Sequence, residues 1–299
     1  KDPIKEVANK VLSTTDNTEL QDAYGNKIVV PAGFKIVSDS TTNNVTTVDK
    51  GIVIEDATET ATKGSQFVWV PVGKIYTDIS KTDTNAKTID LDRYTFDENG
   101  KPTAQGENVV TEGLSTFKEE EISNKGNIVA KDINAFKTSA TTNGGYYIGR
   151  YEARQKDGNI TTIGIDKFLN NITQLEAAQL ARNMYNSDNF ISDLTNSYAW
   201  DTATLFLQTC GINSKYSRQN SLNTSLPTTG TTNDIQCNVY DMSSNLWEWI
   251  TETSFYSTLS CVTRGGVYDN INFYTSLRGY NETSGKGVTV GFRPIIYIK

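Results

Sequence analysis

Three cysteines and no histidine bound the chemistry open to this 299-residue chain. Cys210, Cys237 and Cys261 are its only soft nucleophiles. Without an imidazole there is no triad of the usual kind, no histidine metal site and no His base titrating near neutral pH. Two readings of the thiols stay open. Cys237 and Cys261 stand at the starts of two expected strands and can pair as a disulfide, or all three thiols are buried and pack as small apolar groups. The more telling residues lie near the C-terminus, where Val267–Asn281 reads Val-Tyr-Asp-Asn-Ile-Asn-Phe-Tyr-Thr-Ser-Leu-Arg-Gly-Tyr-Asn. Its chemistry is recognition. Tyr268, Phe273, Tyr274 and Tyr280 offer large apolar area with few rotatable bonds, and Asp269, Asn270, Asn272 and Asn281 offer adaptable hydrogen bonding.

This segment contains no Lys, Glu, Gln, Met or Trp, although Lys and Glu are common elsewhere in the chain. Every residue in it can be encoded by a codon ending in a pyrimidine. Adenine-directed mutagenesis of Asn codons leaves that restriction behind.

The elements around it carry ordered motifs. Phe67-Val68-Trp69-Val70-Pro71-Val72-Gly73 comes first, then Gly144-Gly145-Tyr146-Tyr147-Ile148-Gly149-Arg150-Tyr151-Glu152. Asn238-Val239-Tyr240-Asp241-Met242-Ser243-Ser244-Asn245-Leu246-Trp247-Glu248-Trp249 follows, then Arg264-Gly265-Gly266 and Gly291-Phe292-Arg293. In this order the blocks resemble the formylglycine-generating-enzyme family and its C-type-lectin fold. The segment between Arg264-Gly265-Gly266 and Gly291-Phe292-Arg293 resembles the variable region of proteins diversified by retroelements.

The resemblance implies an α+β fold, a lectin-like mixed sheet with two main helices and long loops. It also marks a departure. The family's copper enzymes carry two cysteines just after the R-G-G motif, where this chain has Asn270 and Thr275. Amide and hydroxyl oxygens do not make a soft Cu(I) site, and the iron enzymes of the family use histidine, so neither copper nor iron is expected. Calcium is the cofactor the resemblance implies, held by the Asp241 and Glu248 carboxylates with the carbonyls of Ser244 and Leu246. The family's glycine in this turn is Ser244 here.

The implied function is non-catalytic binding. The expected ligand-contacting residues are Val267, Asp269, Asn270, Asn272, Phe273, Tyr274, Leu277, Gly279, Tyr280 and Asn281. Tyr268, Ser276 and Arg278 match fixed positions of the family and are expected to be scaffold. The ligand would be a protein or glycan on another cell or phage. Two alternatives are an oxidoreductase of the family with displaced chemistry and a structural surface or pilus subunit.

Composition agrees with an exposed binding protein. The formal net charge is −7 and basic residues are scattered, which argues against nucleic acid and anionic membrane surfaces. No run of about 18 apolar residues exists to cross a membrane. The chain starts at Lys1, so a signal or anchor is expected to have been removed and the location to be extracellular or on the cell surface.

Residues 1–20 carry Ile4, Val7, Ala8, Val11 and Leu12 at helical spacing and are expected to be a stalk or linker. Residues 21–299 form the lectin-like domain, with a polar insertion at about 75–130 containing short helices and a variable region at about 264–293. Helices are expected over Lys131–Ser139, after the N-cap Thr173 with Glu176 at capping-box spacing, and over Ser197–Gln208. Strands are expected at Lys27–Pro31, Gly33–Ser38, Gly51–Glu55, Gln66–Val72, Tyr146–Glu152, 237–242, 246–251, 261–267 and 290–298. Phe292 should pack in the core and Arg293 should pair with a carboxylate.

Overall fold

Two six-stranded sheets share the chain and meet at Arg293. The computed structural model describes all residues except 39–43, 109, 113–114, 120–121, 124–126, 129–130 and 255–260, and no side chain between 109 and 130. In chain order the strands are β1 (Phe34–Val37), β2 (Val53–Asp56), β3 (Gln66–Pro71), β4 (Val110–Glu112), β5 (Ser115–Glu119), β6 (Gly145–Gly149), β7 (Phe190–Leu194), β8 (Trp247–Ser254), β9 (Cys261–Arg264), β10 (Arg278–Asn281), β11 (Val290–Phe292) and β12 (Pro294–Ile298). The longer helices are α1 (Ile133–Asn143), α2 (Gln174–Asn183) and α3 (Ser197–Cys210).

The first sheet runs β7-β12-β6-β3-β2-β1, antiparallel throughout. Its central strands are continuous apolar runs, Phe67–Val70, Tyr146–Ile148 and Ile295–Ile298, and all of these side chains are buried. Strands covered on both faces show this pattern instead of alternation. Phe34, Phe67, Tyr185 and Phe190 pack ring against ring at 5.3–6.2 Å at one end of it. The second sheet runs β4-β5-β8-β9-β10, with β11 beside β8 in parallel.

Both C-terminal helices start where the sequence predicts. The Thr173 hydroxyl accepts from the Glu176 N–H, and the Glu176 carboxylate accepts from the Thr173 N–H, a complete capping box for α2. Asn196 caps α3 through the Ala199 N–H at 2.8 Å. From Ser197 to Gln208 every residue of α3 is buried, including Asp201. A helix buried on all sides must pair any charge it carries, and Asp201 does so below the candidate site.

Three expectations need correction. Residues 1–20 are not a stalk. The helix there spans only Pro3–Val7, Ile4 is fully buried, the Asn9 N–H donates to the Ile36 carbonyl at 2.7 Å, and Thr18–Gln21 pairs with Lys27–Val30. The helical spacing reflects one short turn docked on the domain. The insertion at 75–130 is mostly hairpins, Gly73–Tyr76 with Ala86–Ile89, Tyr94–Phe96 with Pro102–Ala104, and β4 with β5, and of the expected short helices the described residues show one 3-10 turn at Asp83–Asn85. β5 continues onto β8, so the insertion extends the second sheet. The strand expected at 237–242 shrinks to Val239–Tyr240, because Cys237, Asn238 and Asp241 all take left-handed turn conformations. All three cysteines are free thiols, and Cys261 is buried in β9.

Candidate functional site

Val267–Asn281 begins after β9 and ends in β10, and the residues that bracket its loop, Arg264 and Arg278, are paired across the β9–β10 ladder. The turn that launches it requires glycine twice. Gly265 has φ +92°, and a Cβ there would lie 2.8 Å from the Met242 carbonyl oxygen. A Cβ on Gly266 would lie 1.9 Å from the Ser243 carbonyl oxygen. The segment therefore leaves the sheet pressed against the 242–244 turn.

Its base is ionic. Arg264 donates to Asp201 Oδ1 at 2.5 Å and to the carbonyls of Leu277 and Ser276 at 3.1 and 3.0 Å. Arg278 donates to Asp201 Oδ2 at 2.5 Å, to Glu252 at 2.8 Å and to the Tyr94 carbonyl at 3.2 Å. All four charged side chains are buried. Two cations and two anions with well-placed hydrogen bonds balance one another, whereas any one of them alone would be costly at this depth.

Its flank is braced by the Thr/Asn/Ser-rich loop from Asn213 to Asp234. The Thr275 N–H donates to the Gln219 carbonyl and the Ser276 N–H to the Ser217 carbonyl, both at 3.0 Å. The Asn223 N–H donates to the Tyr268 carbonyl, and Asn220 Nδ2 to the Ile271 carbonyl, both at 2.8 Å. Trp200 Nε1 on α3 holds the Thr275 carbonyl at 2.9 Å. All of these bonds end on peptide groups of the segment.

Of the expected contact residues, Asp269, Asn272 and Tyr280 are exposed, and Asn270, Phe273, Tyr274, Leu277, Gly279 and Asn281 are half-buried. Phe273 packs edge-on against Trp247 at 4.4 Å, and the Arg218 guanidinium lies 3.8 Å over the Tyr274 ring. Tyr280 and Asn281 sit on the edge strand β10 and not in the loop. Thr275, Ser276 and Arg278 are buried scaffold.

Two of the expected contacts are scaffold instead. Val267 is only 3% exposed, because it closes a tight bridge to Asn270 and turns inward. Gly279 faces Thr263, and a Cβ there would lie 2.7 Å from the Thr263 hydroxyl, so its role is close packing of β10 on β9. Sequence reasoning missed Ile271, which is 60% exposed at the tip, and the bracing residues Ser217, Gln219, Asn220 and Asn223. A loop that acts through its backbone leaves no side-chain signature.

The two carboxylates expected to hold calcium have protein partners, and the Ser244 hydroxyl and Leu246 N–H beside the expected carbonyl ligands are engaged too. Glu248 is engaged by Arg293 through both carboxylate oxygens, with Nε at 2.7 Å, and Arg293 also donates to the Gly149 and Tyr240 carbonyls. The Asp241 carboxylate accepts from the Gly230 N–H at 2.7 Å and from the Thr229 and Thr232 hydroxyls. The Ser244 hydroxyl donates to Asp234 at 3.1 Å, and the Leu246 N–H to Glu152 at 3.1 Å. The left-handed residues of this turn are Asp241 and Asn245, not Ser244, so serine in place of the family's glycine brings no backbone strain. Every oxygen of both carboxylates already accepts from a protein donor, so calcium bound here would have to displace Arg293, the Gly230 N–H and the Thr229 and Thr232 hydroxyls.

The cluster is acid-rich for its depth. Burial pushes Asp241 up to about 6, and burial with repulsion from Asp241 and Glu248 holds Glu152 well above the usual carboxylate range. Arg293 is the cation at its centre. Because it lies between β11 and β12, its ion pair with β8 clamps the two sheets together.

No protein-family model matches the chain, and no curated protein does. Among solved structures the chain is similar to CarF, at 14% identity over 64% of this chain and 95% of that one, with a TM-score of 0.35. It is similar to variable protein 1 of Treponema denticola, at 11% identity over 79% and 97%, with a TM-score of 0.33. It is also similar to an M1 variant of a major tropism determinant, at 12% identity over 99% and 97%, with a TM-score of 0.37. Likenesses this distant speak to neither ligand nor activity.

Proposed function

We propose that this chain is a non-catalytic binding protein of the cell surface, presenting a diversified C-terminal segment from a rigid lectin-like scaffold. The observation that carries this reading is the division of labour within residues 264–281. The backbone is fixed at both ends by the buried Arg264–Asp201–Arg278–Glu252 set and along its flank by the 213–234 loop. Asp269, Ile271, Asn272 and Tyr280 meanwhile point to solvent. A preorganised loop carrying aromatic and amide side chains loses little freedom on binding. Binding sites commonly lie on loops held by a rigid scaffold.

The pyrimidine-ending codon restriction supports diversification, and it supplies the test. The DNA beside the gene should hold a near-copy of the segment with Asn codons at the exposed positions. A gene with no such repeat, whose natural copies never differ at 269–274, would leave an ordinary surface subunit as the better reading.

A further inference from the structure

A cavity of about 350 Å³ opens where the ends of β1, β2 and β7 meet, and its walls come from other parts of the chain than the C-terminal segment and its braces. Phe34, Tyr185 and Phe190, packed ring against ring, give it an apolar wall. Asn159, Asn186 and Asn189 bring amides and Ser187 a hydroxyl. Among the described residues no charged side chain lines it. The exposed charges on the same stretches of chain, Asp16, Glu59, Lys63, Asp157 and Asp188, stand outside its walls, and Glu59 and Lys63 pair with each other.

The remaining wall is a ring of hydroxyls with the buried Asp56 carboxylate behind it. The Thr58 hydroxyl donates to Asp56 Oδ1 at 2.5 Å and the Thr62 hydroxyl to Oδ2 at 2.6 Å. The Thr60 hydroxyl stands 2.9 Å from each of these two hydroxyls. The Thr58 N–H and the Tyr185 hydroxyl also donate to the carboxylate. A threonine has one hydroxyl proton. Thr58 and Thr62 give theirs to Asp56, so the Thr60 proton serves only one of its two neighbours. The ring is a proton short, and its spare lone pairs accept a donor from outside.

We propose that this cavity is a second binding site, separate from the C-terminal segment, and that it takes a neutral sugar residue. Small-molecule sites run from roughly 300 Å³ upward and join apolar walls to a few placed polar groups. A sugar hydroxyl supplies the proton the threonine ring lacks. The same hydroxyls accept from the amides of the opposite walls, and the C–H face of the sugar ring covers the aromatic wall. A cation finds a poorer match. The Asp56 carboxylate already accepts from Thr58, Thr62 and Tyr185, and no other carboxylate lines the cavity among the described residues. The site does not depend on the reading of the C-terminal segment.

The test is isothermal titration calorimetry of the intact chain with the methyl glycosides of glucose, galactose, mannose and N-acetylglucosamine, and with choline as a cationic comparison. It is repeated for Thr60→Val and for Asn272→Ala, which alters the exposed C-terminal segment and leaves the cavity intact. Thr60 is exposed, so its substitution should not disturb folding, and thermal melts check this. Asn159→Ala, on another wall, replaces Thr60→Val if the latter lowers the melting temperature. The expected result is that at least one glycoside binds. Its affinity should fall about tenfold in Thr60→Val, the worth of one or two neutral hydrogen bonds, and stay unchanged in Asn272→Ala. No binding by any glycoside, or binding unchanged in Thr60→Val, overturns the proposal. Loss in Asn272→Ala alone places the sugar on the C-terminal segment, which overturns the cavity site and supports the display reading. Binding of choline without any glycoside overturns the ligand class.

Discussion

Arg264 and Arg278 stand opposite one another in the β9–β10 ladder, and both guanidinium groups reach the same carboxylate, Asp201 on α3. Like charges directly opposite each other destabilise a strand pair. Here they become the anchor of the segment between them, because Asp201 and Glu252 separate and neutralise them.

Removing the shared anion should therefore be severe. Asp201→Asn leaves two buried guanidinium groups with only Glu252 between them. Breaking a buried ion pair from one side costs about 3–5 kcal/mol. Urea denaturation should show a loss of that order, and a loss under about 1 kcal/mol would mean the set is not the anchor described.

Scaffold and display positions should separate cleanly in stability. Phe292 is fully buried, and truncating such a ring to alanine costs about 3–5 kcal/mol. Asp269 is exposed, and Asp269→Ala should change stability by roughly 0.5 kcal/mol or less. Equal losses in thermal melts of the two variants would contradict the division between frame and surface.

Stability should rise on mild acidification. Burial is the main cause that pushes Asp193 and Asp241 up to about 6, and it raises Asp234 and Glu248 as well. An acid with a folded pKa above its unfolded value binds more protons folded than unfolded between the two. Its contribution then grows as pH falls through about 6 and is complete below the unfolded value near 3.9. Asp78, Asp83, Asp97, Glu107 and Glu176 shift the other way, but Asp83, Asp97 and Glu107 are exposed and Asp78 and Glu176 partly exposed, so solvent screening weakens their opposition. Melting temperature should be higher at pH 5.5 than at pH 8, and a lower value at pH 5.5 would refute the assignment.

Metal should neither bind tightly at the segment nor stabilise the turn. Thr275 is buried and hydrogen-bonded to Gln219, and Asn270 offers only an amide. In competition with a Cu(I) chelator the protein should retain no copper. Calcium and EDTA should leave the melting temperature unchanged, since Glu248 is held by Arg293. Tight Cu(I) retention that vanishes in Cys261→Ser would restore the oxidoreductase reading, and a rise in melting temperature with calcium would show that Asp241 and Glu248 exchange partners for the ion.

The legible parts of this chain were those with local signals. The Thr173–Glu176 capping box, the buried runs of β3, β6 and β12 and the glycines at 265 and 266 are all written in short stretches of sequence. What escaped depends on long-range partners. Asp201 lies 63 residues from Arg264 and 77 from Arg278 in sequence, and nothing near it announces the meeting. The 75–130 insertion is polar enough that its short hairpins show little alternation, so the strands on either side of the Asn99-Gly100 turn were not legible. Val267 reads as part of the recognition segment by composition, and only the bridge to Asn270 turns it inward.

The brace along the segment also sets a rule for inheritance. It recognises the Tyr268, Thr275 and Ser276 N–H groups, which donate to the Asn245, Gln219 and Ser217 carbonyls. Nineteen of the twenty amino acids present that same group, so these bonds are blind to side-chain identity, although burial still confines Thr275 and Ser276 to small side chains. Proline is the exception, because it has no N–H to give. Mutation of an Asn codon can produce proline, so selection must remove it. Among natural copies of this gene, proline should be the missing letter at 268, 275 and 276 even where every neighbouring position varies.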